Sequence, residues 1–261
     1  MKIGILVSMA IVALGAVAAP PVQAQDVLRI ATEGAYPPFN WREADGTLKG
    51  FDVDIANALC EKMNRKCVIV AQDWDGMIPA LLAKKFDVIV ASMAITAERQ
   101  KRVDFTKKYW QAISRFVTKK GMNLDTSKDD LGGIHVGVQR GTIQSCYLSK
   151  HFSKANITLY PTLEEGFSDL KAGRLDAYIA ESIQMKKEVL DRPDGQDYTF
   201  NGPTPQDPEC FGDGVGIALR KGSDELRNSL NKAILDIRAD GTYQKIDRKY
   251  FDFDVYGPEA N

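Results

Sequence analysis

The sequence predicts an α/β fold of two lobes joined by crossing strands. Three observations carry that expectation. Strands and helices alternate in the βαβ order of parallel sheets. The alternation runs through one block, stops, and restarts in a second. No Pro/Ser-rich linker, low-complexity segment or internal repeat separates the blocks, so extended strands are expected to cross between lobes near Tyr109–Arg115 and Glu209–Gly214.

In the first block, Val27–Thr32 is rich in β-branched residues and reads as a strand. Asp45-Gly46 is a turn signal. Asp52–Met63 carries Val53, Ile55, Ala56, Leu59 and Met63 at helical spacing, with Asp52 and Asp54 near its start, where carboxylates favour the helix dipole. Lys66–Ala71 reads as a strand, Asp75–Lys84 as a short helix and Asp87–Ala91 as a buried strand; Ile113–Lys119 is a strand that leaves the block. The second block reads as strand His135–Gln139, helix Thr142–His151, strand Ile157–Tyr160, helix Thr162–Ala172 and strand Asp176–Ala180. A polar stretch, Arg192–Gly214, leads to the strand Val215–Arg220. Helices Ser223–Ala239 and Thr242–Phe251 close the chain, each with an apolar stripe and a charged face.

Ahead of the first strand, Lys2, the apolar run Ile3–Ala19 and Val22-Gln23-Ala24 form the charged region, apolar region and small-residue site of a secretory signal peptide, residues 1–24. The run is short for a membrane span and carries Gly4, Ser8 and Gly15. No Cys follows the expected cleavage point, so a lipid anchor is not expected. Lys and Arg number 34 against 35 Asp and Glu, a balance that gives no electrostatic case for nucleic acid. Export implies an oxidising compartment, where Cys60, Cys67, Cys146 and Cys210 allow three pairings. A local Cys60–Cys67 bridge is expected. Cys146 and Cys210 then either close a long loop or stay buried and reduced. None of the four sits in a C-x-x-C, so no metal site is expected. Gly212-Asp213-Gly214-Val215-Gly216 has the wrong spacing for a dinucleotide fingerprint. There is no G-x-S-x-G and no P-loop, and the histidines lack a nucleophile context. No cofactor and no catalytic residue are expected.

The segment Gly50-Phe51-Asp52-Val53-Asp54-Ile55-Ala56-Asn57-Ala58-Leu59-Cys60-Glu61-Lys62-Met63 resembles the signature of bacterial extracellular solute-binding proteins of family 3, the polar amino-acid receptors of ABC importers. The resemblance continues in Tyr36-Pro37-Pro38-Phe39, Asp73-Trp74-Asp75, Ile95-Thr96-x-x-Arg99, Asp104-Phe105-Thr106, Gly141-Thr142, Ala172-Gly173-Arg174-Leu175-Asp176-Ala177, Gly212–Gly216 and Asp240-Gly241-Thr242-Tyr243. Within the family the chain looks most like the lysine/arginine/ornithine and histidine receptors, which share the Cys60–Cys67 spacing. The resemblance implies a type II periplasmic-binding-protein fold. Its two lobes, 26–112 plus 214–261 and 113–213, would be joined by two hinge strands and close on a ligand.

A free amino acid offers a carboxylate, an ammonium and a side chain, and a cleft must supply a partner for each, because buried unpaired charge is costly. By resemblance, Arg99 clamps the α-carboxylate through its planar guanidinium. Thr142 opens a helix whose N-terminus suits an anion and is the second carboxylate contact. Glu181 takes the α-ammonium. Glu33 faces a distal cation on the ligand, and Tyr36 and Trp74 sandwich its side chain. Ser92 and its neighbours Met93 and Ala94 contact the ligand. Ala94 stands where a Ser or Thr hydroxyl usually helps hold the ammonium, and Gln139 stands where an apolar residue is common in this branch. Gln144 flanks the same edge.

The implied function is a monomeric periplasmic receptor that captures a basic amino acid and docks on an ABC permease. The missing hydroxyl at Ala94 keeps an opine, an arginine conjugate with a substituted amine, as a second ligand class. A more remote alternative is a periplasmic cyclohexadienyl dehydratase on the same fold. It would need a protonated carboxyl as general acid. Glu33 and Glu181, matched to ligand cations, are instead expected to stay ionised.

Overall fold

The computed structural model describes residues 27–126 and 131–257. The signal-peptide segment, residues 1–24, lies outside the described residues. Strands β1 (Leu28–Thr32), β2 (Ala35–Tyr36), β3 (Asn40–Arg42) and β4 (Leu48–Lys49) precede helix α1 (Phe51–Lys62). Then come β5 (Cys67–Ala71), a 3-10 turn at Trp74–Gly76, α2 (Met77–Leu82), β6 (Val88–Ile89), α3 (Ala97–Gln100) and β7 (Asp104–Trp110). The chain next runs through β8 (Ser114–Lys119), β9 (His135–Gln139), α4 (Ile143–His151), β10 (Asn156–Tyr160), α5 (Leu163–Lys171), β11 (Ala177–Glu181) and α6 (Ser182–Met185). A π-helical turn at Lys186–Leu190, a 3-10 turn at Pro193–Gly195, β12 (Tyr198–Asn201) and α7 (Pro208–Phe211) follow. The chain ends in β13 (Val215–Leu219), α8 (Asp224–Ala239) and α9 (Thr242–Tyr250).

These strands form two five-stranded sheets, ordered β5-β1-β6-β13-β7 and β10-β9-β11-β8-β12, beside the small meander β2-β3-β4. The sheets are mixed, where the βαβ order had suggested parallel ones. β13 runs antiparallel to β6 and β7, and β8 runs antiparallel to β11 and β12. The physical reason lies in the crossings. β8 and β13 are the strands that enter a sheet directly from the other lobe, so each inserts against the direction of the strands it joins.

Alternation of side chains along each strand fills both faces of each sheet. In the first lobe, Leu28 and Ile30 pack with Phe51, Ile55, Ile234 and Tyr243 under α1, α8 and α9. The opposite face places Ala31 and Ile89 against Met77 and Leu81 of α2. In the second lobe, Phe116 and Ile179 face Tyr147 and Leu148 of α4, whereas Val117 and Tyr178 face Phe167 and Leu170 of α5. The entry to α1 depends on glycine: Gly50 sits at φ 125, and a Cβ there would lie 2.2 Å from the Phe39 carbonyl oxygen. The structure pairs both sets of cysteines, Cys60–Cys67 and Cys146–Cys210. The second bridge spans 64 residues and ties α4 to α7. No helix among the described residues is long and apolar enough to cross a membrane.

Candidate functional site between the lobes

In open α/β sheets, ligand sites lie beyond the carboxyl ends of strands, where the strand order reverses. The first sheet reverses beside β1 and the second beside β9, and both point these ends at the same gap. Glu33 follows β1 and Ser92–Ala94 follow β6. From the other side come Gln139 at the end of β9, Thr142 just beyond it, and Glu181 at the end of β11. Together they wall a cavity between the two sheets. Its lining contains ten of the eleven sequence-derived binding residues: Glu33, Tyr36, Trp74, Ser92, Ala94, Arg99, Gln139, Thr142, Gln144 and Glu181.

Met93 is the exception. It is buried in the core with Met77, Ile89 and Phe105. Met93 and Ala94 run beside β13, with Ala94 bridged to Val215 and the Met93 carbonyl accepting from the Gly216 N–H, and successive side chains of an extended segment point to opposite sides. Ser92 and Ala94 therefore line the cavity, and Met93 turns away from it.

One end of the cavity is cationic. Thr96 caps α3, its hydroxyl accepting from the Arg99 N–H at 3.3 Å. The Arg99 guanidinium donates from Nη1 to the Ala94 carbonyl at 2.9 Å and from Nη2 to the Gly141 carbonyl of the other lobe at 3.2 Å. It also lies 5.3 Å from the Trp74 ring centroid. Its partners are thus neutral dipoles and a π-face, with no carboxylate among them. Burial pushes its pKa down to about 10. Beside it, Thr142 caps α4: its Oγ1 accepts from the Ser145 N–H at 3.2 Å and donates to the Gln139 carbonyl at 2.7 Å.

The remaining charges of the lining are acidic. Glu181 is buried and caps α6, accepting from the Gln184 N–H at 2.9 Å and the Ser182 hydroxyl at 3.2 Å. Glu33 accepts from Gln139 Nε2 at 2.9 Å. Neither carboxylate has a cationic partner among the described residues. Desolvation raises both to about 7, and for Glu33 the field of Asp73, Asp75 and Asp52 adds to the rise. Without a ligand both are poised near neutrality, and a cation beside either one would favour its ionised form.

A buried network that sequence reasoning did not assign to the site supports it from behind. Asp52, in the first turn of α1, accepts from Ser92 Oγ at 2.8 Å, from Asn40 Nδ2 at 2.8 Å and from the Tyr109 hydroxyl at 2.6 Å. Tyr109 in turn accepts from the Ser92 N–H at 3.1 Å. Both donors of Ser92 are thereby tied back, and the residue is held at φ 52, a conformation non-glycine residues rarely adopt. Because Asp52 takes the hydroxyl proton, Ser92 Oγ keeps only acceptor capacity. The acidic start of α1 was legible in the sequence; its contact with a loop 40 residues away was not.

The lobes meet across the cavity. Besides Arg99 and Gln139, Trp74 Nε1 donates to the Gly141 carbonyl at 3.4 Å, and Arg140 forks onto Asp75 at the exposed mouth, with Nε 2.8 Å from Oδ2. Gln144 is tied within its own lobe to Ser114 Oγ at 2.9 Å. Tyr36 stacks on Phe39 at 5.4 Å. Trp110, Ile143, Leu163 and Ile179, with Ala91, Ala112 and Ala180, complete the wall; as apolar residues they carried no signal separating them from core.

The sequence pattern of bacterial extracellular solute-binding proteins, family 3, matches residues 28–253. An L-arginine-binding protein of Pseudomonas aeruginosa is 47% identical over 247 residues, covering 94% of this chain and 95% of the relative. The lysine/arginine/ornithine-binding periplasmic protein of Escherichia coli is 39% identical, covering 98% of this chain and 100% of that one. The solved structure of a Salmonella typhimurium periplasmic binding protein, described as the basis for high arginine specificity, superposes with a TM-score of 0.79 at 32% identity, over 86% of this chain and 99% of that one.

Proposed function

This chain belongs to the bacterial extracellular solute-binding proteins of family 3, and on that premise we propose that it captures a basic amino acid, arginine foremost, in the periplasm and delivers it to the permease of an ABC importer. The observation that carries the reading is the charge count of the cavity. Two carboxylates and one guanidinium line it, and none of the three has an opposite charge beside it among the described residues. A ligand with one carboxylate and two cations complements that set group for group, and arginine, lysine and ornithine have this form. We assign the carboxylate to Arg99 and the N-terminus of α4 at Thr142, the α-ammonium to Glu181 and Ser92 Oγ, and the distal cation to Glu33 between Tyr36 and Trp74. Lobes 26–112 plus 214–261 and 113–213 would close about the hinges at 111–113 and 212–214. Because each lobe carries part of the binding set, the ligand favours the closed state by its contacts with both.

The same count weighs against an opine. Such a conjugate adds a carboxylate, and the lining offers no second cation for it; Arg140, at the mouth, is engaged by Asp75. The relatives are binding proteins, which favours a receptor over a dehydratase. The carboxyls near neutrality are the feature an acid catalyst would share. Incubation with arogenate, which a binding protein leaves unchanged, separates the two.

Calorimetric titration of residues 25–261, stripped of ligand, is the test. Arginine, ornithine, lysine and histidine would be compared with octopine and nopaline at neutral pH. Micromolar or tighter binding of arginine, about −8.2 kcal/mol or better, is expected, with Glu33→Gln weakening it strongly. Tight binding of an opine with none of the free amino acids would overturn the assignment.

A further inference from the structure

The Glu33 end of the cavity is shared between the lobes in a way that fixes the polarity of Gln139. Gln139 is buried and ends β9 of the second lobe. Its Nε2 donates twice, to Glu33 Oε1 of the first lobe at 2.9 Å and to the Pro161 carbonyl at 3.2 Å. A backbone carbonyl can only accept, so the amide orientation is settled by Pro161 as well as by Glu33. Both N–H groups are used within the protein. Oε1 is the remaining polar atom of a side chain that lines the cavity, and it has no hydrogen-bond partner among the described residues.

We propose that Gln139 is a specificity-determining residue whose amide oxygen accepts from the ligand's distal group, so that Glu33 of one lobe and Gln139 of the other form a split acceptor that favours a guanidinium over a primary ammonium. The proposal rests on the basic-amino-acid reading above. A guanidinium carries five N–H donors in one plane, is weakly hydrated, and stacks on aromatic faces. One edge can meet Glu33 while another N–H reaches Gln139, with a face against Tyr36. An ammonium is a compact, strongly hydrated point charge that gives up more solvation to enter a site bounded by an amide and rings. The split has a second consequence. The acceptors come from different lobes, so the side-chain end of a guanidinium ligand draws the lobes together as its carboxylate end does, and closure itself becomes sensitive to the distal group.

The test is the ratio of arginine to lysine affinity, measured by calorimetry in the full mature chain and in Gln139→Leu. The substitution removes the interlobe Gln139–Glu33 bond as well as the acceptor. Loss of the bond alone would weaken both ligands by a common factor, and the ratio cancels it. A fall of about tenfold or more in the ratio is expected, the size of one hydrogen bond to a charged group. Equal weakening of both ligands would overturn the proposal and leave the basic-amino-acid reading standing. Failure of the unsubstituted protein to bind either ligand would overturn the reading, and the proposal with it. Gln139→Met, which keeps side-chain length and lacks the amide, should reproduce the fall; an unchanged ratio there would also sink the idea.

Discussion

At Asp207 every charge has a partner; in the interlobe cavity none of the three lining charges has one of opposite sign among the described residues. Asp207 Oδ2 lies 2.7 Å from His151 Nε2 and 3.0 Å from Lys150 Nζ, and its Oδ1 accepts from the Glu209 and Cys210 N–H groups at the start of α7. His151 first, then Lys150 and the two N–H groups, hold its carboxyl far below the usual range. Glu33 and Glu181 are shifted the other way, because burial removes water and no cation replaces it. The contrast separates two uses of polar residues. The Asp207 cluster, beside the Cys146–Cys210 bridge, fastens α7 to α4 and is satisfied within the fold. The cavity holds its interactions in reserve for a ligand.

The sharpest way to break that contrast is Arg99→Ala. Loss of arginine binding by about a thousandfold or more is expected, since two or more charge-assisted hydrogen bonds go. Thermal stability should hold or rise, because a buried cation without a counter-charge is removed. Retained affinity in the titration would show that the clamp is misassigned. The opposite signature is expected at the structural cluster. Cys146→Ser with Cys210→Ser should cost about 4 kcal/mol by loop-closure entropy over 64 residues, against about 2 kcal/mol for Cys60→Ser with Cys67→Ser over 7. Denaturant titration reads this, and ligand affinity of the folded variants should be preserved.

Acidity offers a test in which the two regions move oppositely. Glu33 and Glu181 bind protons more tightly folded than unfolded. Their contribution to the stability of the ligand-free protein is therefore fully present below the ordinary carboxylate range and lost as pH rises through about 7. Asp207, shifted down, contributes stability above the ordinary range that is lost on acidification. Urea midpoints at pH 5 and 8 should show the ligand-free protein weaker at pH 8, and Glu33→Gln with Glu181→Gln should flatten the difference. Ligand affinity should rise over the same interval as the carboxylates ionise; an affinity independent of pH would mean that neither one meets a cation.

Asp207→Asn is expected to cost about 2 kcal/mol, from a lost cap and its charge-assisted bonds, with ligand affinity unmoved. The smallest effect belongs to the exposed mouth. Arg140→Ala removes a surface pair worth at most about 1 kcal/mol, so arginine should dissociate no more than about fivefold faster, and added salt should erase the difference. A larger, salt-independent loss would place Arg140 inside the binding set.

Much of this molecule was legible before folding. The core strands and helices followed from hydrophobic period, and the candidate site residues from the resemblance to a known family. The regions that escaped were those with weak periodicity. The meander β2–β4 has strands of two or three residues. β7 carries Lys107 and Lys108 through its middle, and β12 lies within a polar stretch. In the site, Met93 was grouped with its neighbours, because adjacency in sequence says nothing about the side of an extended segment on which a residue falls.

The sequence by itself determined the two α/β blocks and a Cys60–Cys67 pair near enough to join locally, and its resemblance to a known family suggested the charged and aromatic residues of the cleft. Only the tertiary structure decided that the sheets are mixed, that Cys146 reaches Cys210, that Asp52 disciplines Ser92, and that Gln139 turns its N–H groups toward Glu33 and Pro161. The reason is one of range. Periodicity and spacing are set by a residue's near neighbours, whereas hydrogen-bond polarity and the cost of burying a charge depend on which distant groups the fold brings within about 3 Å.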